Sequence, residues 1–145
     1  MKIQVKKLRP GAKLPTRGSE NAAGYDLYAC LDTETADIPP HGTFRVGTGL
    51  SVAIPDGYFG AIFARSGLAA KQGLRPANCV GVADADYRGE YLVVLRNDSD
   101  DVRTIRDGDR IAQLVVLPFL PAEFEETETL EDTSRGDGGF GSTGR

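Results

Sequence analysis

The chain has 145 residues, 40% of them hydrophobic, and a formal net charge of −4. That length suits one domain with a single buried core and no disulfide or metal staple. The negative balance gives no electrostatic reason for a nucleic-acid backbone or an anionic membrane as partner, so any basic site must be local.

Two cysteines, Cys30 and Cys79, are too few for a secreted disulfide framework and lack metal-ligand spacing. No apolar run approaches the roughly 20 residues of a membrane helix, and no apolar region follows the charged start MKIQVKKLRP. A cytoplasmic protein that binds neither nucleic acid nor membrane is the expectation. Eighteen glycines and eight prolines are spread along the chain and cut it into pieces too short for long helices.

Taken in order, IPPHGT (38–43) is a turn that carries the single histidine, His41, as a surface residue. FRVGTGLSVAIP (44–55) and GYFGAIFA (57–64) are rich in β-branched and aromatic residues and read as strand. SGLAAKQ (66–72) is the one expected helix, with Ser66 as N-cap and Gly73 as stop. EYLVVLRN (90–97) and RIAQLVVLPF (110–119) are further strands, and NDSDD (97–101) is a turn between strands. Many short strands with regular turns predict an all-β barrel or sandwich.

Composition changes after Pro118 and Pro121. Residues 123–132 hold six acidic side chains, and the last eleven residues hold five glycines. The expected division is a core over residues 1–120 and an arm over residues 121–145. Fully extended, the arm would reach roughly 80 Å, against a radius of gyration of about 14 Å for the core, so it could cross to a neighbouring subunit.

The chain offers no nucleophile–histidine pair and no His/Cys ligand cluster, which leaves carboxylate chemistry and, at most, a hard metal held by oxygen ligands. In GVADADYRGEY (81–91), an extended backbone would put Asp84 and Asp86 on one side and Tyr87 on the other; a solvated acidic turn is the bland alternative. In ARSGLAAKQGL (64–74), Arg65 and Ser66 stand at a helix start, where unpaired N–H groups favour an anion such as phosphate; a plain helix cap is the alternative. GDGGFGST (136–143) has P-loop-like glycines, but Ser142 stands where the lysine should be and no helix can follow, so a Walker nucleotidase is rejected. Phe140 beside Arg135 fits a closing lid, the ring covering a base and the guanidinium meeting phosphate.

Together AGYDLYA (23–29), ARSGLAAKQGL, GVADADYRGEY, DGDRIAQLVV (107–116) and RGDGGFGSTG (135–144) resemble, in order and spacing, the five motifs of trimeric dUTPases. The resemblance implies a jelly-roll-like β-clip fold with one short helix. It also implies a homotrimer with shared active sites, each closed by a swapped glycine-rich arm, and hydrolysis of dUTP to dUMP and pyrophosphate. Asp84 corresponds to the aspartate that activates the attacking water, with Asp86 in support. Asn78 and the backbone of Val82, Ala83 and Asp84 correspond to a hairpin that reads uracil. Tyr87 would stack on deoxyribose and exclude a 2′-hydroxyl, and Leu92 would line the same pocket. Arg65, Ser66, Gly67 and Gln113 correspond to triphosphate contacts; Arg135, Phe140, Gly141, Ser142 and Thr143 correspond to the closing clamp. Mg²⁺ is implied on the phosphates, with Asp26 touching it through water, and Arg110 is left as structural.

This chain departs from the family pattern at Ala83, where a larger aliphatic residue is usual, and the expected consequence is a looser hairpin pocket. The rival readings are a dCTP deaminase of similar fold, decided by ammonia release from dCTP, and a nucleotide-binding trimer without turnover.

Overall fold

The structure is a computed structural model and describes residues 1–139. The clamp positions Phe140, Gly141, Ser142 and Thr143 therefore lie outside the described residues. The elements run β1 (Gln4–Lys7), β2 (Thr16–Arg17), β3 (Tyr25–Tyr28), β4 (Thr35–Ile38), β5 (Thr43–Gly47), β6 (Leu50–Ala53), β7 (Tyr58–Phe63), α1 (Ser66–Gln72), β8 (Leu74–Pro76), β9 (Val80–Ala83), β10 (Leu92–Asn97), β11 (Arg103–Arg106) and β12 (Arg110–Pro118).

All strand pairs are antiparallel, in an all-β, jelly-roll-like arrangement of small sheets. The largest sheet has the order β2-β3-β12-β7-β9, and β5-β10-β8 forms a second. β12 is the spine, pairing with β3 on one side and β7 on the other. Its register sets Gln113 opposite both Asp26 and Phe63. Alternation decides which side chains are buried: in β10, Val93, Leu95 and Asn97 face inward while Leu92 and Val94 face out. Leu27, Ile38, Val46, Leu50, Leu95 and Ile111 form the centre of the core.

The apolar run 44–55 is two strands rather than one. β5 joins β10 and β6 joins β1, and the chain changes sheets at Gly49, whose φ of 67° favours glycine. A Cβ there would lie 2.8 Å from that of Ala12. The turn NDSDD forms as expected because Asn97, fully buried, donates to the carbonyls of Ile38, Pro39 and Asp101 and accepts from the Ser99 N–H. His41 sits in its turn with Nε2 2.8 Å from Asp100.

The helix has the expected bounds and ends at Gly73 in the left-handed conformation, but its N-cap is Arg65, not Ser66. The chain is still extended at Arg65 and no side chain caps the helix. The reason is tertiary: Arg65 leaves β7 with its guanidinium already drawn onto Asp26.

After β12 the Phe119 N–H donates to Gly57 O, and residues 120–139 form no strand or helix. Leu120, Phe124 and Leu130 are 92%, 96% and 86% exposed along this arm. No helix among the described residues is long and apolar enough to cross a membrane. Cys30 is buried, Cys79 is exposed, and both are free thiols.

Candidate active site

Two separate hollows gather the residues singled out from the sequence. The first, a cavity of about 460 Å³, is lined by Asp26, Arg65, Ser66, Gly67, Arg110 and Gln113, among others. The β3–β12–β7 register builds it. Gln113 Nε2 donates to Ala64 O at 2.8 Å, fixing the exit from β7. Arg65 Nε donates to Asp26 Oδ1 at 2.8 Å, and Arg110 Nη1 reaches Asp26 Oδ2 at 3.2 Å. Asp26 therefore holds two guanidinium groups at the rim of one cavity. Gly24 is needed here, because a Cβ would overlap Gln113 Oε1 and lie 3.2 Å from its Cδ.

The second hollow, about 220 Å³, lies at the end of β9 and is lined by Asn78, Val82, Asp84, Tyr87, Tyr91 and Leu92, among others. An adjoining hollow of about 270 Å³ shares Asn78, Gly81 and Leu92. Asn78 reaches it from a tight turn in which Cys79 has a φ of 62° and its N–H donates to Pro76 O. The strands flanking this turn do not pair with each other: β8 pairs with β10 and β9 pairs with β7. The expected hairpin is thus a turn between two ladders, not a two-stranded ribbon.

Asp84 and Asp86 do not alternate along an extended strand. β9 ends at Ala83, and the Tyr87 N–H closes a turn onto Asp84 O at 3.2 Å. That turn brings Tyr87 to the same hollow as Asp84. Ala83 is 6% exposed and faces the core side of β9. A Cβ built on Gly60 would lie 3.4 Å from both the Ala83 methyl and the Tyr91 hydroxyl, so the space beside the small residue holds a tyrosine rather than extra pocket.

The two main hollows share no lining residue. From the β7–β9 register, Asp84 stands level with residue 59, six residues from Arg65, which is about 20 Å along a strand. One chain thus carries two half-sites that it does not itself bring together. Arg135 lies on the exposed arm, its Nε donating to Gly138 O at 2.8 Å.

The family model for dUTPase matches residues 11–144. The chain belongs to the dUTPase family. Proteins named deoxyuridine 5'-triphosphate nucleotidohydrolase are similar along nearly its whole length. The one from Candida albicans is 50% identical over 138 residues, 94% of this chain and 84% of that one. The one from Desulfitobacterium hafniense is 48% identical over 145 residues, 99% of this chain and 95% of that one. Among solved structures, the dUTPase of Staphylococcus bacteriophage 80alpha with dUPNHPP has a TM-score of 0.89 at 31% identity, covering 99% of each chain. The dUTPase from phage phi11 of S. aureus has a TM-score of 0.80 at 27% identity, covering 92% of this chain and 100% of that one.

In this dUTPase-family chain, no group of three or more His, Cys, Asp or Glu side chains among the described residues could cage a metal. The donor set fits only an ion carried on substrate phosphates, as Mg²⁺ prefers. Asp26, expected to meet Mg²⁺ through water, has both carboxylate oxygens engaged by arginine, and their positive charge opposes a cation beside it. Sequence reasoning left Arg110 outside the site, although it stands at the rim of the first cavity. The signal was available: antiparallel pairing of β12 with β3 sets Arg110 opposite Tyr28, near Asp26. Gly24, Gly89 and Tyr91 were missed because their roles depend on what crosses above them.

Proposed function

We propose that the chain hydrolyses dUTP to dUMP and pyrophosphate at sites shared between subunits of a homotrimer, with Asp84 as general base. The observation that carries this reading is the placement of Asp84 beside Asn78, Tyr87 and Leu92 in one hollow of a dUTPase-family chain. The names of the relatives and the dUTP analogue in the phage structure support the substrate.

In this reading the nucleoside occupies the Asn78–Leu92 hollow. Uracil pairs with the backbone of Val82, Ala83 and Asp84, and Tyr87 lies against the deoxyribose. Asp84 takes a proton from water as the water oxygen attacks the α-phosphorus. The bond from that phosphorus to the bridging oxygen breaks, and pyrophosphate leaves. Arg65, Ser66, Gly67 and Gln113 from another subunit hold the triphosphate, since the cavity they line is about 20 Å from Asp84 within one chain. Asp26 keeps Arg65 and Arg110 aimed at that cavity. Residues 121–145 act as an arm that brings Arg135, Phe140, Gly141, Ser142 and Thr143 over a neighbour's site. Mg²⁺ bound to the phosphate oxygens would offset their charge; a title for the phage phi11 enzyme mentions a structural Mg(II) ion. The activity belongs to the cytoplasm.

The test is pyrophosphate release with Mg²⁺ from dUTP, dTTP, dCTP and UTP in parallel. Release from dUTP alone is expected. Comparable release from dTTP would remove the uracil selectivity, and no release from any of them would remove the hydrolase reading. Asp84→Asn is expected to lose about 10²–10⁴-fold in turnover while still binding nucleotide.

A further inference from the structure

Tyr87 is 44% exposed, yet its ring is held at three points by the residues that follow it. Its hydroxyl donates to Glu90 O at 3.0 Å. Its ring stacks on that of Tyr91, with centroids 6.2 Å apart and planes at 28°. It also passes directly over Gly89: a Cβ there would overlap the hydroxyl and lie 2.5 Å from Cζ and 2.8 Å from Cε2.

These supports are themselves tied to the strand segment 48–51. Ser51 Oγ donates to Arg88 O at 2.8 Å. The Glu90 carboxylate accepts from the Gly49 N–H at 2.7 Å and pairs with Arg9 at 2.5 Å. The Tyr91 N–H donates to Leu50 O, and Tyr91 O accepts from the Thr48 N–H and hydroxyl. A side chain carried on a turn is ordinarily free to change rotamer; this one has its ring face, its edge and its hydroxyl each occupied. Excluding one hydroxyl needs such rigidity, because a ring that can swing aside yields to the larger sugar.

We propose that Gly89, Glu90 and Tyr91 are positioning residues that fix the Tyr87 ring and thereby set the discrimination between deoxyribo- and ribonucleoside triphosphates. The proposal rests on the reading that Tyr87 lies against the sugar.

The test compares kcat/KM for dUTP and UTP in the full-length wild type, Tyr87→Ala, Gly89→Ala and the Gly89→Ala/Tyr87→Ala double variant. Gly89 is only partly buried and the atoms its methyl would meet belong to the Tyr87 side chain, so the fold should hold and the ring should move. Gly89→Ala is expected to lose about tenfold or more of the preference for dUTP over UTP, and the double variant to match Tyr87→Ala, an identity that a general loss of stability would not produce. Tyr91→Ala, which removes the platform instead of displacing the ring, should shift the ratio the same way, and Tyr91→Phe should keep it. Wild-type discrimination in folded Gly89→Ala and Tyr91→Ala, with discrimination lost in Tyr87→Ala, overturns the mount while leaving the sugar contact standing. Wild-type discrimination in Tyr87→Ala overturns both.

Discussion

Single residues in this molecule are set by what surrounds them more than by their own type, and Tyr91 shows it. It is 2% exposed, and no protein group among the described residues hydrogen-bonds its hydroxyl. Burial pushes that hydroxyl from 10.0 up to about 12. A phenol held neutral by folding favours the native state fully below its unfolded value near 10, and that contribution is lost as pH rises towards 12, because the unfolded chain releases the proton first. Tyr91→Phe should therefore hold its melting temperature near neutral pH and resist alkaline unfolding better between pH 10 and 12, by on the order of 2 kcal/mol. Melts at stepped pH check this, and parallel curves for the two proteins would remove the idea. The sequence could not reveal this group, because nothing in YRGEY distinguishes a tyrosine beneath the loop from one on its surface. Asp84 was found from its motif, but its conformation was misread: the alternation in ADAD suggests a strand, whereas the Tyr87 N–H turns the chain back onto Asp84 O.

Elements were more legible than side-chain directions. The runs 57–64, 90–97 and 110–119 are strands because their β-branched and aromatic residues alternate against one core. The helix was found because Gly73 ends it. What pattern could not supply was the pairing, and with it the packing of β9 against the start of β10. There the Ala83 methyl and the Tyr91 hydroxyl both lie against Gly60 on β7. The expected looser pocket does not follow from Ala83, whose methyl faces the core. Ala83→Ile should instead overpack that layer and cost about 1–3 kcal/mol. Combined with Tyr91→Ala it should cost less than the two single changes summed, because the added methyl groups enter the space the ring left. Denaturant unfolding of the four proteins measures the coupling, and strict additivity would show that the two side chains do not share that space.

At the scale of the whole molecule, the family and β class were readable from the five motifs, but no sequence pattern says that two of them end up far apart on one chain. That separation follows from register. β12 sets Gln113 beside Phe63, at the end of β7 nearest Arg65, while β9 sets Ala83 beside Gly60, towards the other end. The exposed Leu120, Phe124 and Leu130 also leave the arm without cover from its own body. If each site takes Asp84 from one subunit and Arg65 from another, two inactive variants can repair each other. Arg65→Ala keeps the base, and Asp84→Asn keeps the phosphate contacts. Unfolded together in equal amounts and refolded, they should form mixed trimers in which about one quarter of the sites pair an intact Asp84 with an intact Arg65. Activity near a quarter of wild type, from two proteins each nearly inactive when refolded alone, is the expected result. If mixed trimers form yet stay as inactive as either parent, each site is built within one subunit, and the arm and the two hollows must then close the distance by moving within that chain.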